Sequence, residues 1–410
     1  MLASLLCRGC GRVYELQKEL VLSCENRGDN KDINHILEKK IDVVISKSEL
    51  ISNRELNPFI KFKDFFYSHA LAKKLNLNYN ELVKRIDPGF SKTPLIRDQN
   101  LFIKNETCNI GGSHKARHLM GTAIYLEIIG GKKSNLAIYS CGNAAIGASF
   151  VAKAAKKPLS VFVPPDLSET VYEILLDNGA QINTCPRIAG EVGDPCYNRF
   201  QEALENGALA FSCSGIDNWS NIEGGETLCF ELMTELMQNN LELDALVIQV
   251  GGGALASSSV QAFQEFYKAK LISKMPRIYA VQTQGAYPLV RAVEKIRNKL
   301  DLKTLNQNMT KYMWPWETEP KSVAHGILDD ITYDWYKIVE GIFSTHGDAI
   351  TVSEDELNEA NKIAKEKYHI PVDHTGSAGY AGLLNLLENG EISKDEKVAV
   401  LFTGLLRDLG

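Results

Sequence analysis

The sequence predicts an α/β protein in which helices cover mostly parallel sheets. From Thr93 onward, short apolar runs typical of buried parallel strands alternate with segments of helical pattern. Strands and helices in alternation favour this architecture, and its ligands bind at the carboxyl ends of strands, where helix N-termini point. The predicted strands span residues 136–140, 159–163, 245–250, 278–282 and 398–402, and the predicted helices span residues 144–156, 169–178 and 255–269.

Length and composition are those of an ordinary globular protein. The chain has 410 residues, of which 44% are hydrophobic and 23% charged, so it can bury a large core over two or three domains. No apolar run is long enough to cross a bilayer, and a net charge of -6 lacks the basic character of a nucleic-acid binder. A small molecule is therefore the expected partner, with neither a membrane nor a nucleic acid.

Cysteine usage and the N-terminus favour the cytoplasm. Nine cysteines, an odd number, indicate reduced thiols rather than a disulfide framework. Residues 1–8 include an apolar patch but no basic lead and no long apolar core, unlike a signal peptide. We therefore expect a cytoplasmic protein.

The most informative segment spans residues 104–117 and places Lys115 directly after a Gly-Gly-Ser turn, where a helix can begin. A lysine that forms a Schiff base needs a fixed position and a lowered pKa, and partial burial near another basic group provides both. An exposed lysine in a first helical turn explains an isolated Gly-Ser-x-Lys better. The surrounding segments decide between the two interpretations.

Three further loops follow apolar strands. Residues 140–145 open a helix whose first N–H groups converge on one point, which suits an anion. Residues 251–256 form a glycine loop before another helix, where the backbone can approach a phosphate closely. Residues 401–408 end the last strand. Capping or tight strand–helix packing also explains the first two loops when each is taken alone.

In chain order these segments resemble the tryptophan synthase β superfamily, the fold-type II enzymes of pyridoxal 5′-phosphate (PLP), and are most similar to threonine synthase-like proteins. Residues 93–95, 102–106 and 112–115 resemble the family's T-P-L, K-x-E and N-P-T-G-S-x-K motifs. The similarity extends from Thr93 to Asp408. Further matches are residues 223–227 with E-G-x-K-T, 281–285 with V-Q-A-x-G, 321–327 with T-V-A-x-x-I, 374–378 with a small-residue helix start, and 401–408 with L-T-G-x-G-L-K-D.

The resemblance implies PLP as cofactor and assigns roles to individual residues. Lys115 is then the Schiff-base lysine, Asn143 hydrogen-bonds the 3′-oxygen of the cofactor, and the Thr403 hydroxyl faces the pyridine nitrogen. The cofactor phosphate is expected at Gly251, Gly252, Gly253, Ala254 and Leu255, and the substrate at Ser113, Ser140, Cys141, Gly142, Asn143 and Ala144.

The resemblance also implies a domain organisation. It predicts two open, twisted, mostly parallel sheets with helices on both faces and the cofactor in the cleft between domains. Residues 61–134 and 213–410 would form the large PLP-binding domain, residues 135–212 a small mobile domain, and residues 1–60 an N-terminal appendage. A homodimer is the family's usual assembly and is expected here.

The appendage resembles a degenerate zinc ribbon. Cys7 and Cys10 form a C-x-x-C pair that is similar to the start of some threonine synthases, and Cys24 is a third cysteine. A structural zinc site takes four ligands, and Arg27 stands where the second C-x-x-C would close. We therefore expect no metal.

Departures from the family pattern leave the substrate open. Residues 159–186 contain no lysine, and residues 218–221 read Asn-Trp-Ser-Asn where the family often has N-P-Y-R, so basic groups for a phosphorylated substrate are missing. His114 replaces the phenylalanine usual in threonine synthases, and Ala254 replaces the last glycine of the phosphate loop.

Three functions are consistent with these observations. The first is a threonine synthase-like lyase or transferase, in which the freed Lys115 amine removes the Cα proton of an amino acid before elimination or replacement. The second is a serine or threonine dehydratase (ammonia-lyase), or a β-replacing enzyme similar to cysteine synthase. The third is a PLP-carrying protein with a regulatory or binding role.

Overall fold

The structure is a computed structural model that describes residues 3–28, 30–130, 135–297 and 301–407. The predicted domain boundary at residue 134 and Asp408, the last residue of the matched C-terminal motif, lie outside the described residues. Within these ranges no helix combines the length and apolar character that a membrane span requires.

The N-terminal residues form a small antiparallel sheet. Strands β1 (Ala3–Cys7), β2 (Val13–Glu15) and β3 (Leu37–Ile41) are arranged in the order β2-β1-β3. Leu5 is fully buried and belongs to the same hydrophobic core as Phe59 and Phe62, which come from the helical segment that follows. The N-terminal sheet therefore packs into the main body of the molecule.

Two larger sheets are built mainly from parallel strands. The first has the order β12-β11-β10-β13-β5-β4 and is parallel except for the edge pair β4–β5, whereas the second has the order β8-β7-β6-β9 and is parallel throughout. These strands are β4 (Leu95–Asp98), β5 (Leu101–Asn105), β6 (Leu136–Tyr139), β7 (Leu159–Val163), β8 (Gln181–Thr184), β9 (Leu209–Ala210), β10 (Ala245–Gln249), β11 (Arg277–Thr283), β12 (Asp348–Val352) and β13 (Val398–Phe402).

Helices connect the strands, and several begin at a polar residue whose side chain caps the first turn. At the start of α15, for example, Ser353 and Glu356 form a reciprocal capping box. The helices are α1 (Lys47–Ser52), α2 (Pro58–Lys61), α3 (Tyr67–Lys74), α4 (Tyr79–Ile86), α5 (Lys115–Ile128), α6 (Asn143–Ala154), α7 (Glu169–Asp177), α8 (Pro195–Glu205), α9 (Ser220–Gln238), α10 (Ala254–Lys268), α11 (Pro288–Ile296), α12 (Leu302–Asn306), α13 (Met309–Tyr312), α14 (Trp335–Ser344), α15 (Glu354–Glu366) and α16 (His374–Glu388).

The α/β fold class predicted from the sequence is confirmed. Strands β7 and β13 have the predicted bounds, and the predicted helices 144–156, 169–178 and 255–269 appear as α6, α7 and α10 with ends shifted by at most two residues. The four-stranded sheet lies between residues 136 and 210, inside the segment expected to be a small mobile domain. The mobility of that segment stays a prediction.

A buried ion cluster fixes the start of α5, the helix that begins at Lys115. The guanidinium of Arg117 is fully buried and donates to Glu106 at 2.8 Å and to Glu231 at 2.8 Å. It also donates to Thr93 Oγ1 at 3.1 Å, while Lys104 Nζ lies 2.9 Å from Glu231. These contacts connect α5 to three other parts of the chain, namely the loop before β4, strand β5 with its following turn, and helix α9.

Arg117→Met should destabilise the protein strongly. Without the guanidinium, Glu106 loses its charge partner and Glu231 retains only Lys104, and breaking a buried ion pair in this way costs about 3–5 kcal/mol. The matched control is Arg85→Met, because Arg85 pairs with Glu127 from a mostly exposed position where a pair contributes about 0–1 kcal/mol. Urea unfolding followed by tryptophan fluorescence measures both variants. Equal losses in the two variants would contradict the assignment.

Candidate active site

Lys115 is the first residue of α5 and lies at the meeting point of two loops. The loop before it is held to the C-terminal segment, because Ser113 pairs with Gly404 and the backbone N–H of Leu405 donates to Gly112 O at 2.8 Å. Ser113 is fully buried, whereas Lys115 is half-buried. The structure therefore brings together the lysine motif and the C-terminal motif, which lie about 290 residues apart in the sequence.

Thr403 is fixed by a side chain to which the sequence analysis gave no role. Its Oγ1 accepts a hydrogen bond from Gln249 Nε2 at 2.8 Å. Gln249 is the last residue of β10, and β13, which ends one residue before Thr403, pairs with β10 in parallel. Since the hydroxyl already accepts from Gln249, its own proton is available to an acceptor on its other side.

His114 is held in its neutral form beside the lysine. Burial, together with the nearby charge of Lys115 and the ring of His118, lowers the pKa of His114 well below its usual range. Both the backbone N–H and Nδ1 of His114 lie 3.2 Å from Thr403 O. Because a carbonyl oxygen only accepts, Nδ1 carries the proton and Nε2 is the unprotonated nitrogen.

The predicted substrate loop, residues 140–144, follows β6 and leads into α6. Helix α6 packs closely on the start of α5, since a Cβ at Gly147 would lie 2.9 Å from Ala116 N. Ser140, Gly142 and Ala144 are half-buried, Cys141 is exposed, and the Gly142 N–H donates to Ser140 Oγ at 3.3 Å. The loop thus comes close to the first turn of the lysine helix.

Asn143 lies between two charged groups that the sequence analysis missed. Its Oδ1 accepts from Arg407 Nη1 at 2.5 Å, and its amide group donates to Asp373. Burial raises the pKa of Asp373 to about 6, against the opposing effects of the Gly376 N–H, His325, Arg407 and Asn143. A half-buried carboxyl group is therefore in direct contact with the predicted cofactor-binding asparagine.

The glycine loop between β10 and α10 faces two further acids, the half-buried Asp329 and the buried Asp334. Gly253 has a left-handed backbone with φ of +97°, and a Cβ at Gly251 would lie 2.3 Å from Asp329 Oδ2. Glycine is therefore required at both positions. Burial raises the pKa of Asp329, although the Gly252 N–H and Lys115 oppose the shift.

Asp334 is the second acid at this loop. Burial raises its pKa to about 7, and the negative charge of Asp217 adds to the effect, while the Gly215 N–H and Lys115 oppose it. Asp334 Oδ2 accepts from Gly215 N at 3.1 Å, and the backbone N–H of Asp334 donates to Gly252 O at 3.0 Å. The loop is thus held in place by the segment that precedes α14.

The donor groups at this site fit PLP. Helices α6 and α10 begin at Gly142 and Gly253 without a capping side chain, whereas α7, α8, α15 and α16 are capped. Their first N–H groups therefore remain available to an anion. At the glycine loop the Gly252 N–H faces the carboxyl group of Asp329, so this loop presents a backbone donor to an oxygen acceptor. Lys115 supplies an amine between the two loops.

The fold and the site define an α/β protein whose lysine-bearing helix starts near two helix N-termini that carry no capping side chain. Residues 86–404 match the family described as "Pyridoxal-phosphate dependent enzyme". The chain belongs to this family, and its cofactor is PLP.

Known proteins of several activities are similar to the chain. The threonine synthase of Methanocaldococcus jannaschii is 25% identical over 97% of this chain and 91% of its own length. The serine racemase of Arabidopsis thaliana is 24% identical over 82% of this chain and 93% of its own length. The solved structure of the processed form of threonine deaminase isoform 2 from Solanum lycopersicum has a TM-score of 0.64 at 17% identity, covering 80% of this chain and 89% of that one. The sequence-based assignment to PLP enzymes of fold type II is confirmed.

The predicted site residues gather around the start of α5, but their individual roles stay predictions. The sequence analysis missed Gln249, Asp329, Asp334 and Asp373, and gave no role to Arg407. Arg407 stands where the matched C-terminal motif has its lysine, which could have identified it. Asp334 and Asp373 have no comparable signal, since only the folded chain brings them to the loops.

Asp334→Asn should change how stability depends on pH. The folded protein holds a proton on Asp334 up to about pH 7, whereas an unfolded chain releases it near pH 3.8, so the free energy of unfolding falls as pH rises across this window. Asparagine removes that loss, of which about 3 kcal/mol falls between pH 4.5 and pH 7.5. Unfolding by urea at these two pH values measures it.

The exposed Asp166 provides the control variant, Asp166→Asn. We expect it to unfold with the pH dependence of the unchanged protein. If Asp334→Asn follows the same pH dependence as this control, Asp334 does not titrate between pH 4 and pH 7.

Proposed function

We propose that the chain is a PLP-dependent lyase or transferase of the threonine synthase-like kind, acting on an amino acid by removal of the Cα proton followed by elimination or replacement. The observation that carries this proposal is the pairing of Thr403 Oγ1 with Gln249 at 2.8 Å. A neutral hydroxyl with a free proton can donate to the pyridine nitrogen without forcing it to become protonated. Such a ring is a weaker electron sink, which suits elimination and replacement better than transamination.

Lys115 is the proposed base. When bound, PLP delocalises the negative charge that forms at Cα. The Nζ of Lys115, once displaced by the incoming amino acid, removes the Cα proton and can return it or pass it to the leaving group. The half-buried position at the start of α5 limits its access to water while leaving it open toward the two loops.

The loop at residues 140–144 is the proposed binding site for the substrate carboxylate, together with Ser113. Its support is the uncapped N-terminus of α6, where backbone N–H groups favour an anion. Asn143 reaches the cofactor's 3′-oxygen in this proposal, and Arg407 and Asp373 orient its amide group. The glycine loop with Gly251, Gly252, Gly253, Ala254 and Leu255 is the proposed phosphate site.

A dehydratase (ammonia-lyase) or a β-replacing, cysteine synthase-like enzyme is the second candidate. It is favoured by the lack of basic residues in two segments, because residues 159–186 contain no lysine and residues 218–221 read Asn-Trp-Ser-Asn. A second phosphate, carried by the substrate, needs basic partners. An unphosphorylated substrate such as serine or threonine fits these surroundings better than O-phosphohomoserine.

Substrate trials separate the two candidates. We expect the purified protein to show the visible absorbance of a PLP–lysine adduct, and one of O-phosphohomoserine, serine or threonine to shift it. Release of phosphate with formation of threonine supports the first candidate, and release of ammonia with a keto acid supports the second. Lys115→Ala is the control and should lack the adduct band. A protein that shows no band after addition of PLP contradicts the assignment of Lys115.

Thr403→Val tests the role of the hydroxyl. It keeps the side-chain shape but removes the hydrogen bond, which should cost about 1–3 kcal/mol in the transition state, or roughly 5- to 150-fold in kcat. Thr403→Ser, which retains the hydroxyl, should remain within a few-fold of the unchanged enzyme. PLP content is measured alongside, so that loss of cofactor is not mistaken for loss of rate. Equal kcat values in both variants would rule out this role.

A role as a PLP-carrying regulatory protein is distinguished by the same Lys115→Ala variant, because a purely regulatory protein would keep its biological effect.

Cytoplasmic location and homodimeric assembly are also part of the proposal. The first is supported by nine cysteines that are all free thiols, and the second by the habit of the family. Sedimentation of the purified protein measures its assembly.

A further inference from the structure

A compact cluster of cysteine and histidine side chains lies at the N-terminal sheet and includes none of the proposed active-site residues. Cys7, Cys10, Cys24 and His35 each offer one ligand atom, and these four atoms all lie within 4.8 Å of one another. Cys7, Cys24 and His35 are buried, and Cys10 is exposed. The cluster is formed by the end of β1, the turn after it, and the segment between β2 and β3, which carries both Cys24 and His35.

We propose that these four residues bind one zinc-like divalent ion in a tetrahedral Cys₃His site. The distance from Cys10 Sγ to Cys24 Sγ is 3.7 Å, and that from Cys7 Sγ to His35 Nδ1 is 3.6 Å. A tetrahedral zinc ion with ordinary zinc–sulfur and zinc–nitrogen bonds places its sulfurs about 3.8 Å apart and a sulfur and a nitrogen about 3.6 Å apart. Two separate edges of the cluster thus have the lengths that the ion requires.

The backbone fixes the turn that carries Cys7 and Cys10. Gly11 N donates to Cys7 O at 2.9 Å, and Cys7 N donates to Arg12 O at 2.8 Å. The spacing of these two cysteines is therefore set by the turn itself.

Side chains around the other sulfurs add further hydrogen bonds. Tyr14 Oη lies 3.6 Å from Cys24 Sγ and donates to it, and Asn26 Nδ2 lies 3.5 Å from Cys10 Sγ. Outer groups of this kind orient metal ligands and tune their basicity. Sulfur ligands with one imidazole select zinc and similar soft or borderline ions over magnesium or calcium.

His35 supplies the ligand that the sequence pattern lacked. Arg27 stands where a second C-x-x-C would close, so the sequence alone predicted no metal. In the folded chain β1 and β3 pair antiparallel with Cys7 opposite Leu37, which carries His35 back to the cysteines. Arg27 instead donates to Ile216 O at 2.7 Å and to Asp217 at 2.7 Å.

The proposed ion has a structural role. All four positions are taken by protein side chains, so none is left for a substrate or a reacting water. The loop that carries Cys24 is held against the start of α9, because Trp219 Nε1 donates to Val21 O at 2.7 Å and Trp219 N donates to Leu22 O at 3.0 Å. The ion would therefore connect the N-terminal sheet to the start of α9.

The test is the zinc content of the full-length holoenzyme after incubation with zinc and removal of unbound ions. We expect about one zinc per chain. His35→Gln and Cys24→Ser should lose most of it, whereas His35→Cys, which restores a fourth ligand, should keep it. Cys108→Ser removes an exposed cysteine outside the cluster and should also keep it. The visible PLP absorbance of each variant shows whether the rest of the protein is folded.

Two further measurements make the result decisive. Cobalt bound in place of zinc should give the intense visible bands of a tetrahedral ion and sulfur-to-metal charge-transfer bands, both lost in Cys24→Ser. Zinc content that is equal in His35→Gln and the unchanged protein would overturn the Cys₃His assignment. A protein that binds no zinc under reducing conditions, or that forms a Cys10–Cys24 disulfide instead, would overturn the metal site itself. Neither result affects the proposed catalytic function.

Discussion

The buried guanidinium of Arg117 makes the interactions on which the position of Lys115, the proposed Schiff-base lysine, depends. Lys115 and Arg117 share the first turn of α5, so any force that fixes Arg117 also fixes the base of the lysine side chain. Glu106 and Glu231 compensate the buried charge from two different parts of the chain. Burial tends to raise the pKa of Glu231, but Arg117 and Lys104 outweigh it and lower that pKa to about 2. Glu231 therefore stays ionised at neutral pH.

Close packing between helices also fixes the position of α5. A Cβ at Gly121 would lie 2.6 Å from Gly224 N, and one at Gly224 would lie 2.2 Å from Arg117 O, so α5 and α9 touch through their backbones. Residues 223–227, which resemble a family motif, lie at this contact between α5 and α9. Glu223 also accepts a hydrogen bond from the N–H of Tyr67 at 2.7 Å and thereby caps α3. With Gly147 of α6 against Ala116, three helices converge on the start of α5.

Local sequence pattern predicted those parts of the fold that local physics determines. The conformation of a short segment can be predicted from its own residues when it is an apolar run, such as residues 159–163, or a glycine loop, such as residues 251–253. The helices after these two segments begin within one residue of the predicted position. Strand β5 was missed because its buried Lys104 looks like a surface residue until Glu231 and Glu235 are seen beside it. Asp334, Asp373 and His35 were missed for a similar reason, because each acquires its role from partners distant in the sequence.

The same reasoning changes how the N-terminal residues are understood. They were predicted to form an appendage, yet Lys39 is almost fully buried and contacts both Glu226 and Glu265, at 2.5 and 3.2 Å. Glu226 lies on α9 and Glu265 on α10, the helix that starts at the glycine loop. Without β3, Glu226 and Glu265 would lose Lys39, whose charge opposes the effect of burial on the pKa of both carboxyl groups. Because α9 and α10 hold the lysine helix and the glycine loop, the N-terminal sheet is part of the structure that supports the active site.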